Sequence, residues 1–411
     1  MTYRLDRRSF LARSAALGCS LAASPLLTPV SFAAAPWDAR LVVIILRGGM
    51  DGLDVVQPYG DPGFAAARAA WPSGPESGAA DLDGFFALHP GLAPLLPLWR
   101  AEELGFVHAV STPYRDKRSH FDGQDMLEAG TASLAGVRDG WLNRLLQAVP
   151  GVETSTAYAI GREDMRLLSG SAPVANWLPG IDLEMSPQAR RLALLVMESD
   201  PAFHAALNEA MMILDGEQAV AEAGAMSAEE EAEAGMQMGM VSAGANAAHR
   251  RIADFAAEQL RGASRIAAFS INGWDTHRAQ ERGLSTPLGR LSDTILTLRA
   301  RMGAEVWDKT AVLAMTEFGR TVRPNGTGGT DHGTGGLMLM AGGAVRGGRV
   351  HGRWPGLDEA DLYQRRDLMP TADLRVQAAW AMRGLTGLDR ATLERAVFPG
   401  IEMGGDPGLL R

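Results

Sequence analysis

The sequence predicts an α/β fold built on a mostly parallel sheet. Two observations carry this. Short, unbroken apolar runs rich in β-branched residues recur along the chain, and helical patterns separate them. A strand covered on both faces needs no polar alternation, so such runs mark parallel strands buried between two layers.

The first run is Leu41 to Leu46 in "ARLVVIILRGGMDGLD", which ends in a glycine turn. "LGFVHAV", Leu104 to Val110, is the second, and "HFDGQDMLEAGT" opens a helix at His120. "SRIAAFSINGWDTH", Ser264 to His277, is a third strand that runs into a polar loop. "LGRLSDTILTLRARM", from Leu288, has helical periodicity. "TAVLAMTEFGR", Thr310 to Arg320, and "GLMLMAGGAV", Gly336 to Val345, are the fourth and fifth strands. From about Gln188 to Gln259 the chain reads as a helical insertion or cap, rich in Ala, Met and Glu. Within it, "MSAEEEAEAGMQMGM", Met226 to Met240, reads as a solvated acidic segment.

Composition narrows the function. The 411 residues are 46% hydrophobic and 21% charged, the balance of a globular protein with a large core. The net charge of −9 and the lack of a basic stripe exclude nucleic acid as the expected partner. The N-terminus, "DRRSFL" followed by a moderately apolar run and small residues at Ser31, Ala33 and Ala35, reads as a twin-arginine (Tat) export signal over residues 1–35. The Tat machinery is then one partner, and residues 36–411 form the exported domain, periplasmic or extracellular. Prolines at 25 and 29 interrupt the run, so no stable membrane span is expected. The single cysteine, Cys19, falls inside the signal, which excludes a disulfide framework and cysteine-ligated zinc from the exported domain.

In a parallel α/β sheet, ligands bind beyond the carboxyl ends of the strands. Asp51 follows the first run. Arg115, Arg118, Ser119 and His120 follow the second, and Asp275 and His277 follow the third. Glu317 follows the fourth, and Asp331 and His332 lie in the glycine-rich loop after it. Carboxylates mixed with imidazoles suit a divalent metal: zinc, or alternatively manganese, magnesium or calcium. Asp51 before Gly52 also fits a simple turn, and Ser119 also fits a helix N-cap.

"DRRSFL", "LRGGMDGLDVVQPYGDP", "RSHFDGQDMLEAGT", "NGWDTH", "TEFGRT", "GTDHGTGG" and "RGGRVHGRWPGL", in this order, resemble the DUF1501 family of bacterial Tat-exported proteins. The family's fold resembles the alkaline phosphatase and sulfatase superfamily. That likeness implies a three-layer α/β/α domain and a metal-dependent hydrolase of phosphate or sulfate esters. It implies that Asp51 and Glu317 belong to one metal site, and that Asp275, His277 and His332 belong to another. Ser119 takes the place of the nucleophile, with Arg118 and His120 beside it, and Arg115 or Arg118 grips the anion. Two departures bear on this: Phe318 stands where a ligand histidine normally follows the acid, and Asp275 and His277 are closer than the usual pair. Asp331 then either replaces the lost ligand or orients His332.

The expected function is hydrolysis of a small-molecule or polymeric ester. The alternative is a metal- or anion-binding protein acting with an exported partner.

Overall fold

The computed structural model describes residues 37–115, 117–161, 165–178 and 240–411. The expected signal (1–35), Cys19 and most of the expected 188–259 insertion lie outside the described residues.

The domain is α/β, with a nine-stranded, mixed and mostly parallel sheet. In chain order its strands are β1 (Arg40–Arg47), β2 (Leu104–Ser111), β3 (Ala157–Ile160), β4 (Ala175–Trp177), β5 (Ile266–Asn272), β6 (Thr310–Met315), β7 (Gly336–Ala341), β8 (Val350–His351) and β9 (Ala372–Asp373). Across the sheet they run β8-β2-β7-β6-β1-β5-β3-β4, and β9 also pairs with β2. All five strands expected from the apolar runs are present. The other four span only two to four residues each, too few to show a periodicity.

β1 is central because it is apolar on both faces. It pairs in parallel with β5 (Ile44 opposite Phe269) and with β6 (Ile44 opposite Ala314). Successive side chains point to opposite faces. Val42, Ile44 and Leu46 therefore enter one core, with helices Met240–Arg261 (α2) and Ser285–Trp307 (α3). Leu41, Val43 and Ile45 enter the other, with helices Trp141–Gln147 and Leu374–Thr386. The result is a sheet between two helical layers. No helix among the described residues is long and apolar enough to cross a membrane.

One strand departs from the parallel expectation, and the departure matters. β7 runs antiparallel to both β2 and β6. The chain leaving β6 therefore turns back at the same edge, and residues 316–335 form the return. Backbone bonds from Gly319 N to Thr334 O (3.1 Å), Gly333 N to Gly319 O (2.8 Å) and Thr321 N to Asp331 O (2.9 Å) zip that return into an ordered ladder. Glu317, Arg320, Asp331 and His332 are thereby held at the carboxyl ends of β1 and β5. The helix expected at His120 spans His120–Ala129 (α1); Ser119 caps its start, and Gly130 ends it in the left-handed conformation (φ 64°).

His108 on β2 is a buried, neutral histidine of the core. Its Nε2 lies 3.0 Å from Val56 O, so it donates there, and its Nδ1 accepts from Ala109 N at 2.9 Å. Phe86 stacks on the ring and Trp354 meets it edge-on. Burial pushes its pKa down from 6.5 to about 4. The folded state therefore binds the proton less readily than the unfolded chain. The stability from the neutral ring is complete above 6.5 and is lost as pH falls toward 4. The loss should reach about 3 kcal/mol. Urea unfolding between neutral and mildly acid pH should show a shallower pH slope for His108→Gln than for the wild type, whatever the variant's stability at neutral pH.

Candidate metal centre

Each loop at the carboxyl edge delivers one or two polar side chains to a common point. β1 ends at Arg47, and Gly48 follows with φ 121°, a conformation that favours glycine. A Cβ there would meet Asp275 N at 2.5 Å, so the close approach of these two loops also requires glycine. The glycine-rich return packs just as tightly: a Cβ on Gly329 would lie 2.2 Å from the backbone carbon of His277.

His120, Asp275, His277 and His332 converge, each offering one ligand atom, and these atoms lie within 4.8 Å of one another. His277 Nε2 is 2.8 Å from His332 Nε2. Asp275 Oδ1 is 3.1 Å from His277 Nε2, 3.4 Å from His120 Nε2 and 3.5 Å from His332 Nε2. Asp275 and His277 are partly open to solvent, at 46% and 40% side-chain exposure, so the group has a route for a ligand to enter.

The far nitrogen of each ring decides what the near one presents. His120 Nδ1 is 2.8 Å from Glu317 Oε1, His332 Nδ1 is 2.8 Å from Arg118 O, and His277 Nδ1 is 3.4 Å from Asp331 Oδ1. Carbonyls and ionised carboxylates only accept, so each Nδ1 carries the proton. Each ring then turns its Nε2 toward the others. His120 Nε2 is buried and has no hydrogen-bond partner. Three imidazole Nε2 atoms and a carboxylate oxygen facing one another repel unless a proton or a metal cation lies between them. This donor set, with every outer nitrogen held by an acceptor, fits a metal ion.

Charge is balanced close by. Arg320, fully buried, donates to Asp275 Oδ1 at 2.6 Å, and also to Gly48 O, to Gly49 O (2.5 Å), to Thr330 O (3.0 Å) and to Trp274 O (3.1 Å). Burial works to raise the Asp275 carboxyl, but the Arg320 hydrogen bond and charge outweigh it and hold Asp275 below its ordinary range. Glu317, completely buried, accepts at one oxygen from Gly48 N (2.9 Å), from His120 and from Gln124 Nε2 (3.2 Å). Burial opposes its ionisation as well, and those hydrogen bonds overcome it, His120 foremost. The same hydrogen bond raises the His120 imidazole above its ordinary value.

The structure thus brings together Asp275, His277 and His332, and adds His120 as a fourth ligand candidate. It does not bring in Asp51 or Glu317. Asp51 is buried in a two-point pair with Arg68 (2.7 and 3.0 Å), and Gln280 Nε2 donates to it at 2.7 Å. Glu317 stands behind His120, and Asp331 stands behind His277 rather than His332. Asn325 and His277 both donate to Asp331, and these bonds keep its carboxyl below its ordinary range. Ser119 is an N-cap: its hydroxyl accepts from Asp122 N at 3.4 Å, and its N–H donates to the Tyr114 hydroxyl at 2.6 Å. Arg118 contributes its carbonyl to His332, with its backbone in the left-handed region (φ 55°). Arg115 donates to Thr112 O and Tyr114 O and lies over the Tyr363 ring. Phe318, 4% exposed, packs against His120 and His332 at ring distances of 5.1 and 4.8 Å.

The family model "Protein of unknown function (DUF1501)" matches residues 105–383. The chain belongs to the DUF1501 family. The matched span contains all four converging residues, the whole glycine-rich return and Glu317. Asp51 and Arg68 lie before it. No curated protein matches the chain.

Supporting side chains such as Gln124, Gln280 and Arg68 had not been singled out in the sequence. Gln124 had a signal: it lies four residues after His120, on the same helix face. Gln280 and Arg68 had none, since their partners are distant in sequence.

Two outcomes follow from this geometry. Among the described residues this is the one group of its kind, and the carboxylates of Asp51 and Glu317 are taken by protein donors. Elemental analysis after zinc loading should find one ion per chain. His277→Ala should lose it, and Glu317→Gln should weaken its binding by about 10–100-fold. Separately, Arg68→Met should destabilise the fold by about 3–5 kcal/mol in denaturant titration, because it strands a buried Asp51 charge.

Proposed function

We propose that this chain is an exported, metal-dependent hydrolase of phosphate or sulfate esters. The observation that carries the reading is the convergence of His120, Asp275, His277 and His332 on one point. Three imidazoles and one carboxylate suit zinc better than the all-oxygen ions calcium and magnesium. When bound, the metal would supply Lewis acidity toward an ester oxygen and lower the pKa of a nucleophile. The chain's own residues would do the rest. Glu317, Asp331 and the Arg118 carbonyl keep the three rings in the tautomer that binds metal, and Arg320 neutralises Asp275.

The surroundings favour an anionic substrate. The chain's net charge is −9, yet Lys117, Arg118 and Arg278 lie on the segments that carry the ligands. Arg366 is joined to the site through a 2.7 Å hydrogen bond to His332 O. Phe121, directly after His120, is 84% exposed and offers apolar surface for the organic half of an ester. The layered α/β architecture, with the site at the strand ends, supports the likeness to the alkaline phosphatase and sulfatase superfamily. The Arg7-Arg8 segment supports Tat export to the periplasm or beyond.

The nucleophile is the least constrained part. Ser119 begins α1, where the helix dipole favours developing negative charge. Its hydroxyl also caps that helix. This capping role favours a second reading, a metal-binding protein without turnover that serves an exported partner.

Zinc-loaded protein should hydrolyse an aryl phosphate or aryl sulfate. Chelation and His277→Ala should each reduce the rate to background. Loss of turnover in Ser119→Ala, with metal content unchanged, assigns Ser119 as nucleophile; full turnover assigns water. Stoichiometric zinc without turnover on either ester class would overturn the hydrolase reading in favour of binding.

A further inference from the structure

His120, Gln124 and Glu128 share one face of α1, and each is tied to the next through a largely buried polar chain. His120 Nδ1 meets Glu317 Oε1, and Gln124 Nε2 donates to that same oxygen at 3.2 Å. Gln124 Oε1 accepts from Arg47 at 2.8 Å. Arg47 is paired with Glu128 at 2.9 Å, and the other Glu128 oxygen accepts from Leu167 N at 2.9 Å. Side-chain exposure along the chain is low: 13% for Arg47, 3% for Glu128 and none for Glu317.

The direction of this chain follows from chemistry. An arginine can only donate, so the oxygen of the Gln124 amide must face Arg47. Its NH₂ must then face Glu317. The reverse orientation would set NH₂ against guanidinium and carbonyl against carboxylate. With Gln124 and Gly48 N both donating, Glu317 remains a full acceptor, and His120 must give it the Nδ1 proton. The bare Nε2 of His120 is the end of the chain.

We propose that Arg47 and Gln124 are positioning residues of the metal centre, setting the tautomer of His120 and through it the affinity for metal. The inference rests on the metal centre and is independent of whether the protein hydrolyses esters. In this sequence the helix face reads as "HFDGQDMLE", His120 to Glu128, with the arginine supplied from the end of β1.

The test uses the full chain. Zinc affinity by competition with a chelating dye, and the His120 tautomer by nitrogen-15 NMR of the metal-free protein, are measured for the wild type and Gln124→Leu. Gln147→Leu, at a glutamine bonded elsewhere, to Asp139 and Asn143, serves as control. Zinc should bind about 10-fold more weakly to Gln124→Leu. Its His120 should lose the pure Nδ1–H form, while the control keeps both properties. If Gln124→Leu does not fold, the paired change Arg47→Met with Glu128→Gln removes the arginine without stranding a buried carboxylate. It should shift the same two readouts in the same direction. An unaltered His120 tautomer with zinc affinity within twofold of the wild type would overturn the proposal. A wild type that binds no zinc would overturn the metal centre and this proposal with it, whereas a wild type that binds zinc without ester turnover would leave the proposal standing.

Discussion

The structure around the site depends on one electrostatic constraint. Three imidazole nitrogens and a carboxylate oxygen lie within 4.8 Å of one another, and each ring's other nitrogen is bound to a group that only accepts. Without a proton or a cation among the inward-facing atoms, such an arrangement is unfavourable. It persists because the backbone holds it: the β6–β7 return, the tight contact of Gly48 with Asp275, and the left-handed turn at Arg118 leave the side chains little freedom. A divalent cation converts the same repulsion into attraction, which is the physical basis for reading a metal centre here.

A second buried network braces the first. Asp51, Arg68 and Gln280 form a charged core beneath the loop that carries Asp275 and His277, and the Gln280 carbonyl accepts from both Thr276 and Thr330. One glutamine therefore links the β1 loop, the β5 loop and the glycine-rich return. Asp51 has the residue type and position of a ligand, and its bidentate arginine turns it to support instead. Glu317 shows the same distinction. Its carboxylate is aimed at an imidazole N–H, so it shapes the centre through His120.

Much of the fold was legible because burial on both faces leaves a plain trace. The runs at 41–46, 104–110 and 311–315 contain no polar interruption apart from His108, and each lies in a strand. The antiparallel course of β7 left no such trace. "GLMLMA" is buried on both faces like its parallel neighbours, and apolar content does not report direction. The shortest strands were invisible for want of length. At the site, residue type and position after a strand pointed to Asp275, His277, His332 and His120. They could not separate ligands from supports, because that depends on which atom points where.

The sequence by itself determined the layered α/β class, the family, the edge of the sheet where chemistry gathers and the residue types gathered there. These follow from local patterns: apolar runs, glycine turns, and acids and histidines placed after strands. Only the tertiary structure decided the partners. It set Asp51 against Arg68, Glu317 and Asp331 behind different histidines, Phe318 against two imidazoles, and His120 among the ligands. Those assignments turn on contacts between residues far apart in the chain, such as His120 and Glu317, 197 positions apart, and on side-chain direction, which a linear pattern does not encode.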